Sequence, residues 1–442
     1  MEVDVLVVGG GPAGMAAACA AKKHGAERVL IIERGKVLGG ILNQCIHNGF
    51  GLHKFKEELT GPEYAQRYID VIEELQIPYL LETTALGIAA GGANPAQSGG
   101  RHTVSAVNAG GPIRLRAGSV VLSCGCRERP RGAIQIPGTR PSGVYTAGTA
   151  QQYVNELGYT VGKRVVILGS GDIGLIMARR MRFEGARVEA VVELMPFSSG
   201  LTRNIVQCLD DFDIPLRLSH TVTQIHGYPA LTGVTVAKVD ENLRPIPETA
   251  QFIECDTLLL SVGLIPENEL SVSAGAALSP STGGPTVDSR MMTDVAGIFA
   301  CGNMLHVHDL VDYVSEESER AGVCAAEYAE SMKNATLKMK NDGYTLITRH
   351  CLRPIAAEAG AGVRYVIPQR LDFSAGAEPV TLRFRADQVY RDAFVTVSAG
   401  GTVISRRKKR ILAPGEMETF SLTKEDAETV SRQGALRVEI GY

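Results

Sequence analysis

Two glycine-rich stretches, each followed at the same interval by a glutamate, carry the clearest chemistry in this sequence. They are GGGPAG at 9–14 with Glu33, and GSGDIG at 169–174 with Glu193. Glycines in the G-x-G-x-x-G spacing allow a tight turn, close approach of the backbone to a pyrophosphate, and close packing of the helix that follows. An acidic side chain about 20 residues later accepts hydrogen bonds from ribose hydroxyls. Each stretch therefore predicts a bound dinucleotide.

The segments around each stretch supply the strand, helix and second strand that such a site requires. VDVLVV precedes the first turn, an alanine-rich helix runs to about His24, and RVLIIE ends on Glu33; KRVVILG, LIMARRMRFEG and ARVEAVVE repeat this order. Each helix points its positive N-terminal end at the phosphates. The predicted contacts are Gly9, Gly11, Pro12, Ala13, Gly14, Glu33 and Arg34 in the first site, and Gly169, Gly171, Asp172, Ile173, Gly174 and Glu193 in the second.

Glu193 also selects between the two nicotinamide dinucleotides. A carboxylate at this position would repel the 2′-phosphate of NADP, and such a like-charge contact costs several kcal/mol. Neither of the next two residues, Leu194 and Met195, is an arginine that could neutralise that phosphate. The second site is therefore predicted to bind NAD.

Composition indicates an ordinary globular protein with several domains. The chain has 442 residues, 45% of them hydrophobic, and a formal net charge of -3. This charge gives no general attraction to nucleic acid or to anionic lipid, so neither is predicted as a partner. No stretch reaches the roughly 18–20 apolar residues of a membrane span, and no basic leader segment follows Met1. We therefore predict a cytoplasmic protein.

The nine cysteines do not form a pattern that would hold a metal or a disulfide framework. Their scattered positions in apolar runs suit a reducing compartment. The closest pair, Cys124 and Cys126, has a one-residue spacer, and the sequence has no C-x-x-C motif to bind zinc or an iron–sulfur cluster. No metal site is predicted on this chain, and any metal or cluster would be carried by a partner.

Several further motifs appear in the order of one known family. They are VVLSCG and TLLLSVG, each a predicted strand ending in glycine, then LIPEN and TDVAGIFACGN. With the two glycine turns, they make residues 1–332 resemble the flavin-dependent pyridine nucleotide-disulfide oxidoreductase superfamily. CRERPRGAIQIPGTRPSGVYTAGTAQQYVN resembles more closely the oxidoreductase subunits that accompany glycerol-3-phosphate dehydrogenase-like proteins. The resemblance to subunits of sarcosine, octopine and hydrogen cyanide systems is more distant.

This resemblance implies an α/β fold with two Rossmann-like domains arranged as in glutathione reductase, the NAD domain being inserted in the FAD domain. The expected FAD-binding domain comprises 1–147 and 263–335, and the NAD-binding domain is 148–262. FAD and NAD(H) are the implied cofactors. Asn303 replaces a family aspartate that contacts the ribityl chain, and its amide can still bond a hydroxyl. The other contacts implied by the resemblance are Gly40, Ala85, Gly125, Gly263, Gly302, Asp309 and Leu310.

LGGILNQCIHNGFG at 38–51 departs from the family pattern. Dithiol members read Gly-Gly-x-Cys-x4-Cys here, and alignment on the two glycines puts Leu42 and His47 at the cysteine positions. Cys45 falls between them, so the disulfide relay of those relatives cannot operate. Three interpretations of Cys45 stay open: a residue packed beside the isoalloxazine, a single redox thiol that cycles through sulfenic acid, or a polar contact for a different substrate.

A second unusual segment, MLHVHDLVDYVSEESERAG, follows Asn303. Asp309 is predicted to cap the N-terminus of a helix that runs to about Glu330. The resemblance implies that this helix begins at the pyrimidine edge of the flavin and stabilises negative charge there. His306 and His308 would then lie beside the ring and exchange protons near neutral pH, or they are loop histidines bonded to backbone. The candidate catalytic residues are Cys45, His47, His306 and His308.

Residues 336–442 alternate apolar and polar side chains in short runs separated by Gly, Pro and Asp. The runs are YTLITRH, VRYVIPQRL, PVTLRFRA, DAFVTVSA, TVISRRK, METFSL and LRVEIGY. They predict a C-terminal all-β sandwich or barrel domain, in place of the dimerisation domain with a histidine–glutamate pair found in dithiol members. RRKKR at 406–410 is interpreted as a solvated sheet edge, with a docking face for an acidic partner subunit as the alternative.

We predict an FAD enzyme that exchanges hydride with NAD(H) and passes electrons to or from a partner flavoprotein subunit or a small acceptor, without a protein dithiol. By resemblance, the partner is a second dehydrogenase subunit or an electron-transfer protein in an oligomeric complex. The alternative is an amine or hydroxy-acid dehydrogenase subunit that binds its substrate on this chain, with His47, His306 and His308 as candidate bases. A third hypothesis is a redox-sensing flavoprotein without catalysis.

Overall fold

The computed structural model describes residues 1–91, 101–342, 354–373 and 379–442. Contacts divide the chain into two compact units. The first unit joins Met1–Cys126 to Pro266–Tyr442, and the second is Arg127–Ile265. The second unit is thus an insertion in the first, as the resemblance implies. The finer division into domains with limits at 147, 262 and 335 stays a prediction.

The first unit begins with the strand, helix and strand predicted around the first glycine turn. They are β1 (Glu2–Val8), α1 (Pro12–Lys23) and β2 (Val29–Ile32). β2 is buried along its whole length, as expected for a parallel strand covered on both faces. The elements that follow are β3 (Asn48–Phe50), β4 (Leu59–Thr60), α2 (Gly61–Glu74), β5 (Tyr79–Leu80), β6 (Thr84–Ala89), β7 (His102–Asn108) and β8 (Gly111–Leu122).

The main sheet of this unit runs in the order β5-β2-β1-β8-β7-β6. β1 pairs in parallel with β2 and β8, whereas β7 pairs antiparallel with β6 and with the first half of β8. The long strand β8 therefore belongs to both the nucleotide-binding sheet and an antiparallel flap. Its C-terminal end brings Ser123 to the first glycine turn, where Ser123 N donates to Val8 O at 3.0 Å.

The second unit repeats the order of the first around the second glycine turn. β10 (Val144–Thr146), β11 (Arg164–Leu168), β12 (Arg187–Val192), β13 (Leu216–Arg217) and β17 (Thr257–Leu260) form a parallel sheet in the order β10-β17-β11-β12-β13. Its other elements are β9 (Cys126–Glu128, at the unit boundary), α3 (Arg131–Ile134), α4 (Ala147–Asn155), α5 (Asp172–Phe183), α6 (Thr202–Cys208), β14 (His220–His226), β15 (Gly233–Lys238), β16 (Gln251–Glu254) and β18 (Leu264–Pro266).

The chain then returns to the first unit through α7 (Glu269–Ser273) and β19 (Ile298–Ala300), which pairs in parallel with β8. α8 (Val311–Asp342) packs closely on α1: a methyl group added at Gly322 would lie 2.1 Å from Ala17 O. Small residues therefore set the distance between these helices. Within the described residues, none of the helices combines the length and apolar character needed to cross a bilayer.

The C-terminal part of the first unit contains two sheets around one apolar core. Their strands are β20 (Ile355–Ala359), β21 (Val363–Ile367), β22 (Arg370–Leu371), β23 (Val380–Ala386), β24 (Tyr390–Ala399), β25 (Thr402–Leu412), β26 (Glu418–Leu422) and β27 (Leu436–Gly441). One sheet has the order β22-β20-β27-β24-β25 and the other β21-β23-β26. The predicted β-rich domain is present, and the predicted strand YTLITRH lies outside the described residues.

A helix, α9 (Lys424–Gln433), interrupts the predicted all-β pattern. It begins with a capping box in which Thr423 Oγ1 accepts from Asp426 N and the Asp426 carboxylate accepts from Thr423 N. This box is readable in the sequence as T-x-x-D before the helix. Within the described residues 354–373 and 379–442, the all-β description is corrected to two sheets with one helix.

Candidate functional site

The first glycine turn has the geometry that the fingerprint predicts. Gly9 has a φ angle of 109°, and a methyl group added at Gly14 would lie 1.8 Å from Gly9 O. The fold therefore requires glycine at both positions. At Gly11 the nearest atom to an added methyl is Gly40 Cα, 4.0 Å away. Gly11 thus leaves room for a pyrophosphate to approach the backbone, with α1 beginning at Pro12. These residues fit FAD.

The second turn repeats this division of roles. Gly169 has a φ angle of 97°, and a methyl group added at Gly174 would lie 2.8 Å from Gly169 O. At Gly171 the nearest atom to an added methyl is Ser261 Oγ at 3.5 Å, an ordinary contact distance. Space for a pyrophosphate is again found at the middle glycine. Asp172 and Ile173 open helix α5, and Asp172 Oδ1 accepts hydrogen bonds from the loop that follows, from Leu201 N and Asn204 Nδ2.

The two predicted ribose-binding carboxylates are held against their turns by hydrogen bonds. Glu33 accepts from Gly10 N and Gly35 N, both at 2.6 Å. Glu193, which is 6% exposed, accepts from Ser170 N at 2.9 Å and from Ser170 Oγ at 2.6 Å. Met195 N donates to its other oxygen at 2.9 Å. Each carboxylate is thus positioned beside the phosphate-binding turn before a ribose arrives.

Two serines that the sequence reasoning did not assign hold the same place in each unit. Ser123 Oγ donates to Val8 O at 2.8 Å, and its carbonyl oxygen would lie 2.6 Å from a methyl group added at Gly9. Ser261 Oγ accepts from Gly174 N at 3.1 Å, and its carbonyl lies 2.0 Å from a methyl group added at Gly169. The repeated Ser-x-Gly that ends VVLSCG and TLLLSVG was the signal that could have identified them.

The segment 38–51 packs directly on the first turn. Gly39 N donates to Gly10 O at 2.9 Å, and a methyl group added at Gly40 would lie 3.0 Å from Gly11 Cα. Residues 40–44 then form a short 3-10 helix in which Leu42 is 2% exposed. Gly40 therefore lies at the predicted flavin site, and the first family cysteine position belongs to the apolar core.

Cys45 and His47 lie in the following turn of this segment, and both are half-buried. Cys45 Sγ lies 3.3 Å from Ile41 O. His47 Nδ1 lies 3.0 Å from Asn48 O, and its ring centroid is 5.0 Å from that of Phe50. Their catalytic roles stay predictions. The eight cysteines in the described part of the chain are free thiols.

Gly302, another predicted cofactor contact, lies beside the first turn. It has a φ angle of 72°, and a methyl group added there would lie 2.7 Å from Ala13 Cβ. Asn303 follows directly, and its Oδ1 accepts from His308 N at 3.1 Å. Among the other predicted contacts, Arg34 is exposed, Ala85 lies in β6, Gly125 follows β8 in the first unit and Gly263 lies in the second unit.

His306 and His308 are buried against Glu317 of α8. His306 is 1% exposed, and its Nε2 lies 2.9 Å from Glu317 Oε2. Burial and the neighbouring His308 lower the pKa of His306 to about 4. Burial alone would raise the pKa of Glu317, but the two histidines hold it well below its usual range. Both side chains are closed to solvent, which disagrees with their acting as bases that contact a substrate, and their catalytic role stays a prediction.

Asp309 does not cap the helix as predicted. α8 begins at Val311, and Leu310 O accepts from Tyr313 N at 3.2 Å. The Asp309 carboxylate instead binds the Arg385 guanidinium and accepts from Met417 N at 2.6 Å. The helix also continues to Asp342, well past the predicted end near Glu330. A long-range arginine, which no local pattern reveals, outcompetes the capping interaction.

The comparison with known families decides the class of protein. The pyridine nucleotide-disulphide oxidoreductase family matches residues 3–327. The chain belongs to this family. Its members bind FAD and use a nicotinamide dinucleotide, so this member is an FAD-dependent oxidoreductase. The predicted family, enzyme class and cofactors are confirmed.

Individual relatives include components of multi-subunit enzymes. This family member is 28% identical over 295 residues to the HcnB subunit of hydrogen cyanide synthase from Pseudomonas protegens, covering 62% of this chain and 59% of the relative. It is 25% identical over 314 residues to an opine oxidase subunit from Agrobacterium tumefaciens, covering 68% and 61%. The chain thus spans about 60% of the length of these relatives. The predicted likeness to hydrogen cyanide and opine systems is confirmed.

The fold of this family member is similar to a solved thioredoxin reductase from T. acidophilum. The TM-score is 0.61 with 24% sequence identity, and the similarity covers 75% of this chain and 99% of the reductase. At this identity the comparison supports the fold alone. The predicted α/β fold with Rossmann-like sheets is confirmed.

Proposed function

We propose that this chain exchanges hydride between NAD(H) and FAD and passes electrons to or from a partner flavoprotein subunit or a small acceptor, without a protein dithiol. The observation that carries the proposal is the combination of two complete dinucleotide turns with a flavin-side segment that lacks the cysteine pair. When bound, FAD supplies the hydride and electron chemistry.

The residues of this chain bind and orient the two cofactors. The turns at 9–14 and 169–174 hold the pyrophosphates, and Glu33 and Glu193 orient the riboses. Leu42 occupies the position where dithiol relatives carry a cysteine, and its apolar side chain is buried in the core. The chain therefore offers no cysteine pair beside the flavin site to receive electrons, which supports an external acceptor.

The burial of His306 and His308 weighs against the alternative in which this chain binds an amine or hydroxy acid. Those two side chains are closed off by Glu317 and leave His47 as the partly exposed candidate base. A reaction that removes a proton from a small substrate needs a base within hydrogen-bond reach of it. External electron transfer needs no such base, so it agrees better with the arrangement of side chains.

Anaerobic stopped-flow reduction of the FAD-bound protein distinguishes these functions. Mixing with NADH alone is expected to bleach the flavin band rapidly, and NADPH is expected to act more slowly because of Glu193. Reduction by an amine or hydroxy acid, with none by NADH, would establish the alternative function. Reduction by none of these donors would support a redox sensor that lacks catalysis.

The proposed partner docks on β25, which carries the basic run 406–410 at the edge of its sheet. Within the domain, Arg406 lies over the Phe394 ring, 4.2 Å from its centroid, and Lys408 lies 3.2 Å from Asp392. These contacts leave both side chains exposed. An acidic surface on a dehydrogenase subunit is complementary to this edge.

Charge reversal tests the docking surface in the native host. The triple variant R406E/K408E/R410E is expected to lose partner proteins that copurify with the wild-type chain. The matched control K424E/R432E reverses two exposed charges on α9 of the same domain and is expected to retain them. Equal copurification with both variants would place the partner on another surface.

A further inference from the structure

Three buried side chains near the start of α8 direct their ligand atoms to one point. His306 Nε2 lies 2.9 Å from Glu317 Oε2, and His308 Nε2 lies 3.3 Å from the same oxygen. One ligand atom from each of the three residues lies within 4.8 Å of the other two, and each side chain is 1% exposed or less. An ion with bonds of about 2.0–2.2 Å holds its ligand atoms about 3.0–3.5 Å apart. The 3.3 Å separation falls within that spacing, and the 2.9 Å separation lies just below it.

The hydrogen bonds around His308 leave a lone pair directed toward the carboxylate. Asn303 Oδ1 accepts from His308 N, so it is the carbonyl oxygen of the amide. His308 Nδ1 lies 3.4 Å from that oxygen and is favourably placed only as N–H. In the neutral ring, Nε2 then carries the lone pair and faces the Glu317 oxygen, and within the described residues it makes no hydrogen bond. A cation between the two atoms would remove this repulsion.

Outer contacts orient the candidate ligands as they do in metal sites. Glu317 Oε1 accepts from Gly302 N at 2.9 Å, which turns Oε2 toward the two rings. The Asn303 amide similarly fixes the ring of His308. Metal-ligating histidines usually donate their second ring N–H to an oxygen, and ligating carboxylates are themselves hydrogen-bonded. His308 and Glu317 meet these conditions, whereas His306 Nδ1 makes no hydrogen bond within the described residues.

Arg383 lies next to the cluster, but its charge is shared. Its guanidinium lies 3.4 Å from Glu316 and 3.9 Å from Glu317. The arginine and the two carboxylates therefore carry a net charge of about -1 at neutral pH. A bound divalent ion would change this net charge to about +1. A divalent ion held by two neutral histidines and one carboxylate has the same net charge. The arginine does not exclude a metal.

We propose that His306, His308 and Glu317 bind one divalent first-row transition metal ion, with zinc as the first probe. Two imidazoles and a carboxylate suit such ions. Because the cluster is closed to solvent, the ion serves as a clamp that ties the segment 302–310 to α8 and does not meet substrate. The sequence prediction of no metal considered cysteine patterns, and this site contains no cysteine. The inference does not depend on the proposed electron-transfer function.

Metal analysis of the FAD-bound protein tests the inference directly. Protein from cells grown with added zinc is passed over a sizing column, and its metal content is measured by mass spectrometry. About one zinc per chain is expected in the wild type, with removal by a chelator lowering the thermal midpoint of unfolding. Wild-type protein without any stoichiometric ion, also after growth with iron, manganese or cobalt, would overturn the proposal.

Substitutions locate the ion. H308Q and E317Q are expected to weaken zinc binding by about 10–100-fold or more and to abolish the chelator effect on stability. The control H53Q changes an exposed histidine that stacks on Tyr313, and it is expected to retain the metal. If E317Q fails to fold, H308Q alone decides. Retention of zinc in H308Q, or a nitrogen NMR signature of a doubly protonated His308 ring in wild type, would show that a proton occupies the position of the metal.

Discussion

The two glycine turns share their fingerprint and the interval to the acidic residue, but they pack differently. At the last glycine of the fingerprint, an added methyl group would lie 1.8 Å from the opposing carbonyl in the first turn and 2.8 Å in the second. At the first glycine the order reverses, with 2.6 Å for Gly9 and 2.0 Å for Gly169. The fingerprint therefore predicts the class of ligand, while the tolerance of each glycine depends on its own surroundings.

The loops that close the two turns also use different chemistry. In the first unit the closing bond joins two backbone groups, Gly39 N and Gly10 O. In the second unit side chains close the turn: Ser198 Oγ donates to Ser170 O at 3.0 Å, and Asp172 holds Leu201. The backbone hydrogen bond of the first turn depends on its glycines, whereas each side-chain contact of the second turn can be removed by a single substitution. The second turn is thus the better target for changing nucleotide preference without loss of the fold.

The largest predicted effect concerns the last glycine of each fingerprint. Gly14→Ala places a methyl group against Gly9 O. It is expected to lower the free energy of unfolding by about 3 kcal/mol or more and to abolish FAD retention. Gly174→Ala has more room and is expected to cost about 1–2 kcal/mol and to weaken NADH binding. Flavin content and thermal unfolding measure both effects. Equal losses in the two variants would contradict the packing difference.

The buried carboxyl of Asp288 makes the stability of the first unit depend on pH. Burial raises the pKa of Asp288 from its ordinary 3.8 to about 6, and Asp288 Oδ1 accepts from Arg290 N and Met292 N. The protonated form stabilises the fold below about pH 4, and this stability is lost as the pH rises through 6. Asp288→Asn keeps the acceptor, so its stability relative to wild type is expected to increase by about 2 kcal/mol between pH 4 and 7.

Thermal unfolding at several pH values measures this difference. Asp211→Asn, an exposed aspartate of the second unit, is the control and is expected to follow the wild-type profile. A constant difference between Asp288→Asn and wild type across this pH range would contradict the assignment.

Glu193 is expected to control nucleotide preference in the second turn. Glu193→Ala removes the charge that opposes a 2′-phosphate and leaves the Ser170 and Met195 donors without their acceptor. The ratio of kcat/KM for NADH over NADPH is expected to fall by about 10-fold, which corresponds to about 1.4 kcal/mol. Glu241→Ala, at an exposed site of the same unit, is the control. An unchanged ratio in Glu193→Ala would reject this role.

The equivalent serines are expected to have smaller and unequal effects. Ser261→Ala leaves Gly174 N without its acceptor and is expected to cost about 1 kcal/mol and to raise the KM for NADH. Ser123→Ala removes a donor to Val8 O and is expected to cost less, because a carbonyl tolerates the loss of one donor better. Thermal unfolding measures which of the two variants loses more stability, with Ser421→Ala at an exposed site as the control. A larger cost for Ser123→Ala would reverse this assignment.

The smallest effect is expected at the thiol of the first unit. Cys45→Ser keeps a small side chain beside Ile41 O and is expected to change NADH oxidation and partner reduction by no more than about twofold. Steady-state kinetics with an artificial acceptor and with the native partner measure this. A loss of partner reduction with unchanged NADH oxidation would instead favour a single redox thiol.

Local patterns predicted the two β-α-β units, the strand-glycine junctions and most C-terminal strands, because hydrophobic periodicity and turn glycines act over a few residues. They did not predict the shared role of Ser123 and Ser261, whose partners lie far away in sequence. They also assigned Asp309 to the helix it precedes. Arg385 of β23, which lies 76 residues further along the chain, binds that carboxylate instead.

Residue types at fixed short spacings predicted the two dinucleotide turns, and the family resemblance that these and the later motifs carry implied the family and the absence of the dithiol. The burial of His306 and His308 against Glu317, with Arg383 beside them, became visible only in the folded chain. A histidine in a loop becomes a base, a packed ring or a ligand according to the groups that surround it. Those groups come from α8 and β23, which are far apart in sequence and meet only on folding.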